Sequence, residues 1–177
     1  MVSVGGRPIY DNIPGAEHAI TSDDIFYLKK NPGKTLVIGA SYIALETAGF
    51  LKGLGNDVSV AIRSIPLRGF DQGLANRIVD YMEHEGVKFY SRYIVSAIAK
   101  DEQTGKLTAI IKSNYTQDVV KDEFDTIVYA IGRKASTWRL GLDEIGVNLD
   151  EKSGKVIVDS EERSSISNIF SIGDCAY

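Results

Sequence analysis

The sequence predicts an α/β fold: a central parallel sheet, helices packed against it, and a small antiparallel β-meander. Three observations carry this. The runs "KTLVIGA", "DVSVAIR" and "DTIVYAIGR" are short and apolar throughout, as parallel strands buried on both faces must be. Two segments with helical apolar spacing, Ser41 to Gly53 and Asp71 to Gly86, alternate with the first two runs. Between the second helix and the third run, several short strand-like stretches are separated by turn residues.

Taken in order, residues 1–33 carry Gly5-Gly6, Pro8, Pro14-Gly15 and Pro32-Gly33, which break regular structure. Within them, Thr21 or Ser22 is placed to cap a short helix over Asp23 and Asp24. The first strand begins at Lys34. The first helix repeats Ile43, Leu45, Ala48, Phe50 and Leu51, and Gly53 and Gly55 end it. After the strand at Asp57–Arg63, the second helix is predicted to bury Leu74, Ile78, Tyr81 and Met82, with Gly86 at its C′ position. "VKFYSR", "YIVSAIAK", "KLTAIIKS" and "VVKDEF" then read as strands, with turns at Thr104-Gly105 and Ser113-Asn114, and a three-stranded meander is predicted within 93–123. Beyond Gly132, "KVIVD" and "SNIFSIGD" are two further short strands in an otherwise loop-like stretch. No internal repeat is present.

Composition narrows the function. A chain of 177 residues with 44% hydrophobic and 25% charged residues is an ordinary globular domain. Twenty-four acids against 20 bases leave a net charge of −4, which argues against a general nucleic-acid or anionic-membrane surface but leaves room for a local basic pocket. Cys175 is the single cysteine, so no intrachain disulfide forms. No apolar run approaches the roughly 18 residues of a membrane span, and the opening "MVSVGGRPIYDNIPG" lacks the apolar core of a signal peptide. A reduced, soluble, intracellular protein is expected.

The sharpest local signal follows the first strand. Gly39-Ala40-Ser41-Tyr42-Ile43-Ala44 has the spacing G-x-G-x-x-G/A, with Ser41 in the second glycine slot and Ala44 in the third. Gly39 permits a tight turn. A small residue at 41 lets a pyrophosphate approach N–H groups at the helix N-terminus, and a small residue at 44 lets helix and strand pack closely. Small residues also suit a strand–helix turn packed for its own sake. The strand before, the helix after and the second strand on schedule favour a dinucleotide and a Rossmann-like, three-layer domain.

The second strand then addresses which dinucleotide. An NAD site needs an acid near that strand's end, to accept from the ribose 2′-OH. Here the strand ends in Arg63-Ser64, Arg68 follows, and no acid occurs before Asp71. Two guanidiniums and a hydroxyl suit a 2′-phosphate, which an acid would repel. Exposed arginines are also commonly solvated surface charges; the position relative to Gly39 favours NADPH. Tyr42 and Glu46 lie one helical turn apart, though Glu46 is also explained by its place near a helix N-terminus and Tyr42 by packing.

The stretch "GKTLVIGASYIALETAGFLKGLG" followed by "VAIRSIPLRGFDQ" resembles the NADPH-binding domain of the large, glutathione-reductase-like thioredoxin reductases and thioredoxin–glutathione reductases. The "GASYIALE" string and the five-residue spacing of Arg63 and Arg68 are similar to that branch. "GGRPIY…IPGA…ITSDDIFYL", "YAIGRKAST" and "SNIFSIGDCA" resemble segments where the chain leaves and re-enters the FAD domain. "SVGGRP" departs from the family's usual "ATGGRP".

The resemblance implies that Gly39 and Ser41 lie under the pyrophosphate, with Ala40 and Ile43 in the same cofactor-binding turn. It implies that Arg63, Ser64 and Arg68 hold the 2′-phosphate, that Glu46 positions the nicotinamide carboxamide, and that Tyr42 covers the nicotinamide pocket. Ala130 and Ile131 bind the cofactor from the crossover, where Gly132 and Arg133 flank it. Gly173 and Asp174 belong to the second FAD motif, Asp174 on the ribityl chain. The family's Cys-x-x-x-x-Cys pair is absent, and His18 and His84 do not match its catalytic histidine, so no catalytic residue is expected in this chain. The expectation is an NADPH domain over 34–133 flanked by stubs of the FAD domain, 1–33 and 134–177, whose ends lack a core of their own. It would serve an enzyme passing hydride from NADPH to FAD for reduction of thioredoxin. A glutathione reductase-type domain and a non-catalytic NADPH-binding module are the alternatives. The parent is expected to be a homodimer, the fragment a monomer, and the compartment cytoplasmic or, alternatively, mitochondrial.

Overall fold

Strands with apolar residues at every position need cover on both sides, and the architecture supplies it. The computed structural model describes residues 1–177. In chain order its elements are β1 (Gly6–Pro8), β2 (Ile20–Thr21), β3 (Thr35–Ile38), α1 (Tyr42–Gly53), β4 (Val58–Ile62), α2 (Gln72–His84), β5 (Lys88–Ser91), β6 (Tyr93–Lys100), β7 (Leu107–Ser113), β8 (Val119–Phe124), β9 (Thr126–Tyr129) and β10 (Arg133–Ala135). Single 3-10 turns occur at Ala16–His18, Ile25–Tyr27 and Gly173–Cys175. The chain forms two units: Tyr10–Gly132, and Met1–Ile9 with Arg133–Tyr177.

The larger unit holds a five-stranded sheet in the order β2–β9–β3–β4–β5. Every neighbouring pair in it is parallel. Side chains alternate across a strand, so β3 divides its residues: Leu36 and Ile38 join one apolar layer and Val37 the other. On the first face Leu36, Ile38, Ala61, Ile127 and Tyr129 pack on Val95, Ile98, Leu107, Ala109, Ile111 and Phe124 of the antiparallel meander β6–β7–β8. On the second, Val37, Val58, Val60, Ile62 and Val128 pack on Ala44, Leu45, Ala48 and Leu51 of α1 and Met82 of α2. The predicted three layers and meander are therefore those of the structure. "VKFYSR" becomes β5, which α2 carries back to the parallel sheet, where Ser59–Ile62 pairs with Lys88–Ser91.

Both helices end where their glycines permit. After α1, Gly55 has φ +86, and buried Asn56 gives its backbone N–H and its Nδ2 to the Leu51 carbonyl (3.1 and 3.0 Å). At α2, the Asp71 carboxylate accepts from the Leu74 N–H (2.8 Å) as an N-cap. The face that α2 buries differs from the predicted one. Ala75 and Met82 are buried, whereas Leu74, Ile78 and Tyr81 are exposed. Of the four predicted residues only Met82 is buried, where it packs into the helix-side layer; the buried pair Ala75 and Met82 recurs at helical spacing one residue out of step with Leu74, Ile78 and Tyr81. The expected cap at Thr21 also takes another form. Thr21 donates N–H and Oγ1 to the Asp24 carboxylate (2.9 Å each), and only one 3-10 turn follows.

In the smaller unit, β1 pairs antiparallel with β10. The two strands expected at "KVIVD" and "SNIFSIGD" are isolated bridges instead, Val156 with Leu149 and Ala176, and Arg163 with Phe170. Nor do the ends lack a core. Leu142, Val147 and Val156 are buried together, with Val2, Leu149, Val158, Ile166 and Ile169 packed on them.

The meander is fastened to the sheet by polar contacts. Asp122 on β8 accepts from Lys34 Nζ (2.7 Å), the Tyr90 hydroxyl (2.8 Å) and the Glu123 N–H (2.8 Å). Burial pushes its carboxyl up, but these donors outweigh burial and hold it below the usual aspartate range. Burial and Asp122 push the Tyr90 phenol well up, so it stays a donor. On the same side, Pro14 accepts from the Ile98 N–H (2.9 Å), which brings Gly15 (φ +80) so close that a Cβ there would stand 1.8 Å from the Ile98 carbonyl oxygen.

Two outcomes follow for stability. Gly15→Ala forces a left-handed backbone and an overlap with β6, and costs about 2–4 kcal/mol in denaturant unfolding; a loss below about 0.5 kcal/mol would show that this contact does not form. Asp122→Asn costs about 1–2 kcal/mol near neutral pH, since it exchanges a charged acceptor for a neutral one. A carboxyl whose folded pKa is lowered stabilises above its unfolded value, about 3.9, and loses that contribution as pH falls through the folded value. The gap between wild type and Asp122→Asn is therefore full at neutral pH and closes below about pH 4; a gap independent of pH would remove the charge from the account.

Candidate functional site

The C-terminal edge of β3 is built around one close approach. Gly39 has φ +129, donates its N–H to the Ala61 carbonyl (3.0 Å), and lies so near Ala130 that a Cβ would meet its carbonyl oxygen at 2.2 Å. Only glycine fits there. Ala130 in turn donates to the Ile38 carbonyl (2.8 Å). Three parallel strands, β3, β4 and β9, thus converge at Gly39, and ligands of open parallel sheets bind beyond such strand ends.

The N-terminus of α1 opens at the same edge. Ser41 is its N-cap residue, extended at φ −77 and ψ 175, but its side chain makes no capping bond. Its Oγ reaches the Ala130 carbonyl at 3.4 Å instead. The first-turn N–H groups of a helix have no intrahelical acceptors, and here no side chain supplies one. With the positive end of the helix dipole behind them, they suit an anion. Tyr42 and Glu46, one turn apart, are both exposed on this helix.

The second strand ends in the basic segment. Arg63 and Arg68 are exposed and Ser64 is half-buried. Arg68 Nη2 donates to Ser64 Oγ at 2.8 Å, so two of the three predicted 2′-phosphate ligands already touch. The loop that carries Arg68 is tied to the glycine turn: Leu67, at a left-handed φ of +44, donates its N–H to the Ala40 carbonyl (2.8 Å). Gln72 Nε2 holds the same loop through the Phe70 carbonyl (3.1 Å). The first acid after the strand, Asp71, is engaged as the cap of α2.

Of the remaining candidates, Ala130 is buried, Ile131 is exposed and Gly132 has φ +142, all directly after β9. Ile43 is half-buried against the helix-side layer. The larger unit therefore gathers Gly39 to Glu46, Arg63 to Arg68 and Ala130 to Gly132. Arg133, Gly173 and Asp174 lie in the smaller unit. There Arg133 donates to the Gly6 carbonyl, and Asp174 is exposed in the turn Gly173–Cys175. Cys175 is buried, its Sγ 3.4 Å from Ser171 Oγ and 3.3 Å from the Ile172 carbonyl oxygen. No group of His, Cys, Asp and Glu is arranged to hold a metal ion, and no helix is long and apolar enough to cross a membrane. Sequence reasoning missed Asn114, whose Nδ2 donates to the Arg63 carbonyl at 2.7 Å. Its turn was legible, but a contact spanning 51 residues has no local signature.

An uncapped helix N-terminus at a glycine turn, with a basic loop tied to that turn, fits a phosphorylated dinucleotide. The sequence pattern of the pyridine nucleotide-disulphide oxidoreductases matches residues 1–177. The chain is 44% identical over 178 aligned positions to thioredoxin reductase 2, mitochondrial, of Drosophila melanogaster, with all of this chain and 34% of that protein covered. The chain therefore spans about a third of the length of that relative. With the family pattern running from end to end over a turn, helix and strand edge built as described, this chain belongs to the pyridine nucleotide-disulphide oxidoreductase family.

Proposed function

We propose that this chain is the NADPH-binding portion of a flavin-dependent thioredoxin reductase. One observation carries the choice of nucleotide: the strand after the glycine turn ends in Arg63, Ser64 and Arg68, with Arg68 bonded to Ser64 and no free acid nearby. The relative named above, a thioredoxin reductase, supports thioredoxin as the disulfide substrate of the whole protein. Its mitochondrial name favours the mitochondrion of the two compartments expected, and the whole protein is read as a homodimer. The separation of Tyr10–Gly132 from Met1–Ile9 with Arg133–Tyr177 supports assigning the smaller unit to a flavin domain.

In this reading the bound cofactors would supply the chemistry, a hydride transfer from NADPH through FAD to a disulfide. The residues of this chain bind and orient. The turn Gly39 to Ile43 offers backbone N–H groups to the pyrophosphate, and Ala40 keeps the Arg68 loop against that turn. Arg63, Arg68 and Ser64 donate to the 2′-phosphate. Glu46 accepts from the carboxamide N–H of the nicotinamide, which fixes the ring's orientation, and Tyr42 shields the ring from water. Ala130, Ile131 and Gly132, directly after β9, would bind the cofactor from the crossover; in the smaller unit Arg133 is read as a cofactor contact and Gly173 and Asp174 as flavin residues.

NADPH and NADH share every group that the glycine turn meets, so their difference reports the groups that meet the 2′-phosphate. A charge-assisted hydrogen bond contributes about 1.5–3 kcal/mol, and two guanidiniums with a hydroxyl therefore give on the order of 3 kcal/mol, or about a hundredfold preference for NADPH. Part of it is lost at high salt, because both arginines are exposed. Arg63→Glu repels the phosphate, supplies a ribose acceptor and shifts preference toward NADH. Calorimetric titration of both proteins with both nucleotides at low and high salt checks this. Equal wild-type affinities, or no change on substitution, would make the arginines solvated surface charges and overturn the reading. Gly39→Ala, in contrast, displaces the turn from Ala130 and weakens both nucleotides alike, by at least about tenfold.

A further inference from the structure

A third arginine leaves the sheet beside the first. β4 and β5 are parallel with Ile62 opposite Ser91, so the next residues, Arg63 and Arg92, leave the same end of adjacent strands. Arg92 has a left-handed backbone (φ +67), which is uncommon for a residue with a side chain. It turns the chain directly from β5 into β6. Its guanidinium carbon lies 4.8 Å from the ring centroid of Tyr115, in the loop between β7 and β8. Asn114 joins these pieces. Its backbone N–H donates to the Arg92 carbonyl (2.9 Å) and its Nδ2 to the Arg63 carbonyl (2.7 Å). The loop is set by its own bonds: Ser113 Oγ accepts from the N–H groups of Tyr115 (3.2 Å) and Thr116 (3.1 Å).

We propose that Asn114 is a positioning residue for Arg63 and that Arg92, seated on Tyr115, is a third cation for the 2′-phosphate. The proposal rests on the NADPH reading above and extends it to the meander. Arg63 stands where the strand has ended, and its carbonyl has left the sheet ladder. Asn114 fixes that carbonyl, so less freedom remains to be lost when the side chain meets an anion. Stacking on Tyr115 covers one face of the Arg92 guanidinium and leaves its in-plane N–H donors available. A phosphate dianion presents three acceptor oxygens, more than two guanidiniums need occupy. The competing account is that the three residues only fasten the meander to the sheet.

NADP+ and NAD+ separate the two accounts, because they differ by the 2′-phosphate alone and undergo no turnover with the oxidised enzyme. Both are titrated calorimetrically into the whole protein at low and high salt. Arg92→Gln is expected to weaken NADP+ about tenfold, leave NAD+ unchanged and flatten the salt dependence. Tyr115→Leu is expected to cost NADP+ about threefold, and Tyr115→Phe to restore it, since the ring face is kept. Asn114→Ala is expected to weaken NADP+ about fivefold with NAD+ unchanged. Each half stands or falls with its own variant. Equal effects on the two nucleotides, or none, reduce that residue to a fastening of the meander and overturn its half, while a selective loss in Arg63→Glu keeps the NADPH reading. No wild-type preference for NADP+ would overturn both.

Discussion

Burial of the parallel sheet on both faces is the constraint from which the rest of the structure follows. Val37 is buried among Ala44, Leu45, Ala48 and Leu51, while its neighbours Leu36 and Ile38 are buried among Ala109, Ile111 and Phe124. Removing such side chains from water contributes about 1.5–3 kcal/mol each, an amount no surface contact here matches. Neither cover is dispensable. Without the meander, Leu36, Ile38, Ile127 and Tyr129 would face water; without α1, Val37, Val60 and Val128 would.

Two-sided cover leaves only the strand ends open. The crossover from β3 to α1 must turn sharply at the C-terminal edge, and the approach of Gly39 to the Ala130 carbonyl is the geometric result. The same turn leads into α1, whose N-cap residue Ser41 makes no side-chain capping bond. The bond from Leu67 to Ala40 makes the basic loop and the turn one piece. A net charge of −4 over the chain is compatible with this, because the local field depends on Arg63, Arg68 and Arg92 gathered at one edge rather than on the total.

The meander is more than a lid over the first apolar layer. Asp122 ties it to Lys34, ahead of β3, and to Tyr90 on β5, at the flank of the sheet. Asn114 ties its far loop to the carbonyl of Arg63. An antiparallel insertion that packing alone would hold face to face is thereby fixed in position along the strands, and position is what a site at the strand ends requires.

The sequence by itself determined what depends on local pattern. Apolar runs gave β3, β4 and β9, helical spacing gave α1 within its observed bounds, and Gly55 and Gly86 marked where the helices stop, because each of these is decided within a few residues. The spacing from Gly39 to Ala44 and the bases at 63 and 68 were equally readable, and the structure brings those segments to one edge. Tertiary structure decided the rest. Two apolar stripes on α2 satisfy the same period, and only packing decides between them: Met82 joins the helix-side layer of the sheet and Ala75 is buried, leaving Leu74, Ile78 and Tyr81 outside. The stretches around Val156 and Phe170 have strand-like composition, yet their partners give them isolated bridges rather than ladders. Arg92, Asn114 and Tyr115 carry no motif; they reach the end of β4 because β5 runs parallel beside it and the meander folds back, and such proximity is a property of the packed chain rather than of any window of sequence.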